Sequence, residues 1–448
     1  MDIDLLLNKG KTIGLEGLEV YMVETELLNL TISSDKVREV SSSKTFSIGV
    51  RGYIGKRVAG VTINDENLRV DAAFEKLSSL IKTSVEDPNW AGFPPPRKGF
   101  INASCRDNRI IHTDYVETLK MIKDLMEIMK DEAIREGAER AIVAEGMTRL
   151  GVQKIATVNS EGVHVRDECT VCYTFMVLKT VTGKGESDKS FWIVNRRFDI
   201  AELESLGRDA ARLSLMFGGA RKIENGEYDL ILMPQAAVGI IASTLIPAFS
   251  ALNILEGRSP LSGKLESKVF AEEVRISDNP ELPLEIGSRR FDDEGMPTSS
   301  KVLIKDGVLK QVLHNYYTSS RMKLENAGNG FKRNPSSPTT PYPTNFFVHP
   351  GEVKLEDLQR EVKKALIVYE TIGQWMSNPF NGDVKATITH ALLVENGEVK
   401  GPVKGVLVTG NIYEWLGNKL NGLGRETFAS EGIVAPGVWI EKVKVATE

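Results

Sequence analysis

The sequence predicts an α+β protein: N-terminal α/β domains followed by a β-rich C-terminal domain, a curved antiparallel sheet or barrel holding one buried helix. Three observations predict it. Strand-like alternation and helical periodicity succeed one another up to about residue 222. Beyond that point helix signals thin out and hairpin dipeptides dominate. At the change stands a wholly uncharged run, Leu230 to Leu255.

The 448 residues exceed what one core normally organises, so two or three domains are expected. Composition shifts place them at 1–90, 91–222 and 223–448. The first domain opens with GLEVYMVETELLNLTI and KTFSIGVRGYIGKRVAGVTIND, alternating stretches that read as strands. Val70, Ala73, Phe74, Leu77, Leu80 and Ile81 recur at helical spacing, with Asn64 or Asp65 available as a cap. The proline triplet in VEDPNWAGFPPPRKGF then suits an extended connection.

In the middle domain Val116, Leu119, Ile122, Met126 and Met129 form one helical face behind Asp114. Strands follow in KIATVNSEGVHVRDECTVCYTFMVLKT and KSFWIVNRRFD, and a helix, IAELESLGRDAARLSLMF, stops at Gly218 and Gly219. In the third domain Asp306-Gly307 and Asn396-Gly397 sit between alternating segments, where both turn residues must tolerate positive φ. FKRNPSSPTTPYPTNFFVHPG is too rich in proline for regular structure and is expected to be a long loop.

The uncharged run is long enough to cross a bilayer, which takes roughly 20 apolar residues. Pro234 and Pro247 interrupt it, Gln235 and Asn253 are amides, and no Lys or Arg cluster flanks it. A buried helix entered from a strand is the expectation. Charge is near balance, 56 Lys+Arg against 61 Asp+Glu, which supplies no general attraction to phosphate backbones. The start, MDIDLLLNKGK, lacks the basic and apolar regions of a signal peptide, and three cysteines fit a reducing compartment. A cytoplasmic protein with neither nucleic acid nor membrane as partner is expected.

The candidate chemical groups are sparse. Cys169 and Cys172 form a CxxC, but in an alternating stretch residues three apart face opposite sides of a strand, so both read as core cysteines. The five histidines form no HxH, HxxxH or HExxH pair, and neither GxSxG nor GxxxxGK[ST] occurs. TGKGES reads as a polar hairpin loop. Asp292, Asp293 and Glu294 would repel one another unless solvated, hydrogen-bonded or facing positive groups; a turn before a strand is the simplest reading. Asn329, Gly330, Lys332 and Arg333 form a polar, basic cluster that either positions a carboxylate or coats a loop.

FDDEGMPTSSKVLIKDGVLKQVLHNYYTSSRMKLENAGNG, followed by PTNFFVHPG, resembles the TldD/PmbA family, also called modulators of DNA gyrase. The likeness extends to LLVENGEVKGPVKGVLVTGNI and, more weakly, to NSEGV and SIGVRGYIGKRVAG. It implies a cytoplasmic metalloprotease in which a TldD-type subunit carries zinc on an HExxxH motif and a late cysteine. The PmbA or TldE partner shares the fold without the metal site, and the complex acts on peptides or unfolded polypeptides. On that resemblance Gln235, Ala236 and Ile240 stand at the positions of the first His, the Glu and the second His, and RETFASEGIVAPG holds no cysteine. An amide, a methyl and an aliphatic group cannot hold Zn²⁺ or activate its water.

The resemblance therefore implies a noncatalytic PmbA/TldE-like subunit with no cofactor of its own, zinc in a TldD-type partner, a peptide substrate, and the option of a homodimer in isolation. Asp292, Asp293, Glu294, Asn329, Lys332, Arg333 and Asn345 are the residues expected to support the substrate cavity or the interface. Two other readings stand beside it: an autonomous hydrolase built on Cys169, His314 or the acidic cluster, and a gyrase-binding protein.

Overall fold

The computed structural model describes residues 3–64, 70–324, 328–354 and 362–447. Six strands form the first sheet: β1 (Gly17–Ser33), β2 (Lys36–Ile54), β3 (Arg57–Ile63), β4 (Arg140–Asn159), β5 (His164–Thr182) and β6 (Gly185–Asn195). Their order is β3-β2-β1-β4-β5-β6, all antiparallel, and β1 meets β4 from Glu19↔Asn159 to Ser33↔Glu145. Residues 1–90 and 91–222 thus contribute three strands each to one continuous sheet. The β1–β2 hairpin turns at Ser34 and Asp35, both at positive φ, and the Asp35 carboxylate accepts from Val143 N at 2.7 Å.

Helices α1 (Ile3–Thr12) and α2 (Val70–Thr83) precede α3 (Asn108–Ile111), α4 (Tyr115–Arg135) and α5 (Ile200–Met216). Phe74, Leu77 and Ile81, one stripe of α2, pack on Val20, Ile48 and Val50. Each such side chain contributes about 1.5–3 kcal/mol by leaving water. The cap expected at Asn64 or Asp65 falls at the edge of 65–69, outside the described residues; Asn64 itself accepts from Ser47 Oγ at 2.7 Å. Helix α4 is capped by Asp114 accepting from Glu117 N, as expected, but Val116 is 76% exposed. The buried stripe runs through Thr118, Ile122, Leu125, Met126, Met129 and Ala133, rotated from the expected face because α5 lies on that side. Glu132 of α4 pairs with Arg208 and Arg212 of α5.

The C-terminal region begins with β7 (Gly226–Leu232), which feeds α6 (Pro234–Thr244) and a short α7 (Ala251–Leu255). Small strands β8 (Ile276–Asp278), β9 (Lys301–Lys305) and β10 (Val308–Leu309) precede α8 (Tyr316–Met322). Then come β11 (Gly330–Lys332), β12 (Thr339–Pro341), β13 (Phe346–Val348), β14 (Lys364–Ile372), β15 (Asp383–Glu395), β16 (Glu398–Val403), β17 (Val406–Asn411), β18 (Leu420–Ser430) and β19 (Ile433–Thr447). Strands β7-β14-β15-β17-β19 close on themselves through the β19–β7 pairing, giving a five-stranded barrel whose only parallel junction is β7–β14. The proline-rich 331–351 is not irregular throughout: β11, β12 and β13 lie within or overlap it, each only three residues long, with Pro341 ending β12. Asp306-Gly307 and Asn396-Gly397 turn hairpins with φ of 51°, 75°, 50° and 79°.

Helix α6 is the buried helix of the uncharged run. Met233 N still donates to Val368 O on β14, and Pro234 starts the helix where no N–H is needed. Ala236, Ala237, Val238, Ile240 and Ile241 join Leu366, Val368, Ile388, Val438 and Ile440 in the largest apolar cluster. A Cβ at Gly239 would stand 3.0 Å from Gln374 Nε2, so this close approach favours glycine. Among the described residues no helix is long and apolar enough to cross a membrane.

Candidate functional site

Two places carry residues singled out above, and they differ in kind. At α6, Ala236 is 3% and Ile240 2% exposed, while Gln235 is half-buried at a small crevice shared with Lys189, Asp209 and Tyr369. None of the three offers a charge or an imidazole. The donor set does not fit a zinc ion.

The acidic triplet is the second place: it lies in a turn ahead of β9, as expected, and is buried there. Asp292, Asp293 and Glu294 are 0%, 4% and 5% exposed, at the seam between the first sheet and the C-terminal region. A tight turn puts them there: Asp292 N donates to Met296 O, and Gly295 at φ +78° leaves no room for a Cβ, which would lie 2.4 Å from Val163. Each acid then finds different donors. Asp292 accepts from the backbone N–H of Glu294, Met296 and Gly330 at 3.0, 3.0 and 2.7 Å. Asp293 pairs with Arg289 at 2.8 Å and accepts from Tyr21 Oη and Lys332 N, each at 2.8 Å. Glu294 accepts from Thr339 Oγ1 at 2.6 Å and from Tyr316 N, the first residue of α8, at 2.7 Å.

Burial pushes the Asp292 carboxyl well above its ordinary range, and the nearby Glu294 adds to this against the backbone N–H bonds. Burial also raises Glu294, opposed by Thr339 and Tyr316. Mutual repulsion among the acids is therefore met by dispersal onto separate donors.

Lys332 reaches across the seam from β11 to Glu19 of β1, with Nζ donating to Oε1 at 2.5 Å, and Arg51 of β2 approaches the same oxygen at 3.3 Å. Both Lys332 and Glu19 side chains are 1% exposed. Burial alone would raise the Glu19 carboxyl, but the Lys332 and Arg51 charges outweigh it and hold it below the usual range. Glu19 Oε2 and the Trp90 indole nitrogen are buried without a hydrogen-bond partner. Next to them lies a cavity of about 220 Å³ bordered by Glu19, Arg51, Trp90, Phe93, Glu294 and Tyr316. The Arg51 guanidinium stands over the Trp90 and Phe93 rings at 5.7 and 5.6 Å. Ligand pockets run from roughly 300 Å³ upward, so this space suits one side chain or a chain end rather than a folded polypeptide.

The other expected residues divide. Asn329 is fully buried and donates to Asp278 Oδ2 at 2.6 Å, beside the Lys301–Asp278 ion pair at 2.9 Å. Asn345 accepts from Gly287 N at 3.0 Å and donates to Asn279 O and Ser288 Oγ, pinning a turn. Arg333, the residue after β11, is exposed, and among the described residues it makes no ion pair with the buried acids. His314 is buried against Thr318 Oγ1 at 3.3 Å, and burial lowers it to about 4, which keeps it neutral at physiological pH. The ligand-type neighbours of Cys169 are Cys105 and Asp167, not a histidine.

Glu19, Tyr21, Arg51, Trp90 and Arg289 were not singled out from the sequence. Glu19 carried a readable signal, a charge flanked by Leu18 and Val20 near the start of an apolar strand. The other partners meet only across the seam.

Profiles of the PmbA/TldA metallopeptidase family match most of the chain: domain 1 over residues 18–87, the central domain over 114–216 and the C-terminal domain over 225–447. An uncharacterized protein of Methanocaldococcus jannaschii is 28% identical over 416 residues, 92% of this chain and 93% of that one. The metalloprotease PmbA of Escherichia coli O157:H7 is 22% identical over 447 residues, 99% and 94% of the two chains. The crystal structure of TldE from Thermococcus kodakarensis superimposes with a TM-score of 0.88 at 24% identity, over 99% of both chains.

Proposed function

Because this chain belongs to the PmbA/TldD metallopeptidase family, we propose that it is a noncatalytic, PmbA/TldE-like subunit of a cytoplasmic zinc metalloprotease complex whose metal resides in a TldD-type partner. Its substrates are peptides or unfolded polypeptides. One observation supports the reading: α6, on which the resemblance puts the zinc motif, presents Gln235, Ala236 and Ile240 and is packed into the largest core as an apolar element. A group that cannot ligate Zn²⁺ cannot lower the pKa of its water, so hydrolysis has to come from elsewhere.

A feature of the surface supports the partner. Ile372, Trp375, Met376 and Phe380 are 50%, 68%, 61% and 49% exposed, on the segment whose Gln374 covers Gly239 of α6. Four exposed apolar side chains within nine residues, beside α6, suit burial against a second subunit. The small cavity at Glu19 and Trp90 suits a peptide's terminal group or side chain.

The test is zinc content and peptidase activity of the purified chain, alone and mixed with a TldD-type subunit of the same cell. Activity and stoichiometric zinc in the mixture only are the expected result. Chelator-sensitive peptide cleavage by the isolated chain would overturn the proposal.

A further inference from the structure

The sequence pairs Cys169 with Cys172, but the fold pairs it with Cys105. Cys172 faces the apolar cluster beneath α4 and α5. Cys169 lies on the opposite face of β5, where the connecting segment 101–107 runs beside it: Thr170 N donates to Cys105 O at 2.8 Å. The donor atoms of Cys105, Cys169 and Asp167 lie within 4.8 Å of one another, and the Cys105 thiol donates to Glu168 O at 3.6 Å. Both cysteines are buried, at 5% and 1% exposure.

Two chemistries could use such a group, metal capture or oxidation, and the surrounding charge decides between them. Arg196 is 2% exposed; its guanidinium donates to the carbonyls of Thr170 and Ile286 at 3.0 and 2.5 Å, and its Nε has no acceptor. Among the described residues no carboxylate forms an ion pair with it. A buried guanidinium without a carboxylate calls for another anion, and Cys169, within electrostatic reach of Arg196, can supply one as its thiolate. Arg289 and Arg290 add positive charge, and Asp167, the third candidate ligand, is committed to Arg290 at 2.9 Å. Arg289 is likewise committed to Asp293 at 2.8 Å, which leaves Arg196 as the cation without a carboxylate; a divalent cation would enter against it, whereas a thiolate is stabilised by it.

We propose that Cys105 and Cys169 form a peroxide-sensitive dithiol that closes to a disulfide, joining the inter-domain connection to β5, with Cys172 left as a free core thiol. The Cys169 thiolate attacks one oxygen of hydrogen peroxide and breaks the O–O bond; hydroxide leaves and takes up a proton as water, giving Cys169 sulfenic acid. The Cys105 sulfur then attacks the Cys169 sulfur, displacing hydroxide, which combines with the Cys105 proton as a second water. The two sulfurs lose two electrons in total and one peroxide gains them. The Cys105 thiol keeps its proton on Glu168 O at 3.6 Å, while the positive charge of Arg196 favours the thiolate of Cys169. The attacking and resolving roles are assigned accordingly.

The experiment treats the purified full-length chain with hydrogen peroxide, then counts thiols after denaturation and maps disulfide-linked peptides by mass spectrometry. The expected result is a fall from three thiols to one and a single linked pair, Cys105 with Cys169. In Cys105→Ser the oxidised Cys169 should be trapped by a sulfenic-acid-specific dione, and in Cys172→Ser the disulfide should form as in the natural chain. Retention of all three thiols under conditions that oxidise a small-molecule dithiol overturns the proposal, as does a bond that includes Cys172. So does tightly held zinc that shields Cys105 and Cys169 and is lost in Cys169→Ser. Thiol counting and peptide mapping on the natural chain decide the first two of these outcomes, so a variant that fails to fold does not blunt the test.

Discussion

Lys332→Met tests whether the seam between the first sheet and the C-terminal region is held by charge. The substitution keeps most of the side-chain volume and removes the ammonium that lies 2.5 Å from Glu19. Glu19 would keep Arg51 at 3.3 Å as its single cation, with one carboxylate oxygen already lacking a partner. Breaking a buried ion pair on one side costs about 3–5 kcal/mol, and the remaining Arg51 contact places the expected loss near the lower end, about 3 kcal/mol. That is roughly a 100-fold change in the folding equilibrium. Replacing both partners, Glu19→Gln with Lys332→Met, removes the stranded charge and should recover at least half of the loss.

The pH dependence has a definite sign. In the natural chain the Glu19 carboxyl is held below its usual 4.5, so its stabilisation is present above that value and lost as the pH falls through the lower folded pKa. Without Lys332, burial pushes Glu19 upward, and its protonation relieves the stranded charge. The stability gap between Lys332→Met and the natural chain should therefore narrow from pH 7 to pH 5. Urea titration followed by tryptophan fluorescence measures all of this, with Trp90 reporting from beside Arg51. A Lys332→Met chain within about 0.5 kcal/mol of the natural one at pH 7 would refute the reasoning, and so would a double variant no better than the single.

Further outcomes follow from the same geometry. Asp293→Ala should cost about 3 kcal/mol by leaving Arg289 buried without its carboxylate, whereas Arg333→Ala should stay within about 0.5 kcal/mol; thermal denaturation of the pair ranks them. Gly295→Ala forces a side chain into positive φ against Val163 and should lose roughly 1–3 kcal/mol, read by the urea midpoint. Installing Gln235→His, Ala236→Glu and Ile240→His together should lower the melting temperature without giving stoichiometric zinc by elemental analysis, because a carboxylate and an imidazole enter a dry core. Since His314 is depressed to about 4 from 6.5, stability should fall as pH drops across that window, by up to about 3 kcal/mol, and His314→Gln should flatten the slope.

Local periodicity and turn chemistry are legible in the order of residues alone. The helix over 70–83, the two hairpins at Asp306-Gly307 and Asn396-Gly397, and the uncharged helix entered from a strand depend on neighbours a few residues apart. The ordered motifs of the third region identified the family. What stayed hidden depended on distant partners. Three consecutive acids read only as a turn before a strand, because the donors that let them be buried come from Tyr21, Arg289, Lys332, Tyr316 and Thr339.

By itself, then, the sequence determined the kinds of element, their order, the family and the absence of zinc-binding groups on α6, since each is written in residue types at short spacing. The tertiary structure alone decided that β1 and β4 unite the first two regions in one sheet, that Glu19 and Lys332 meet across 313 positions, and that Cys169 faces Cys105. Burial and the low local dielectric turn those juxtapositions into shifted carboxyls and thiols, and neither exists until strands far apart in the chain are paired.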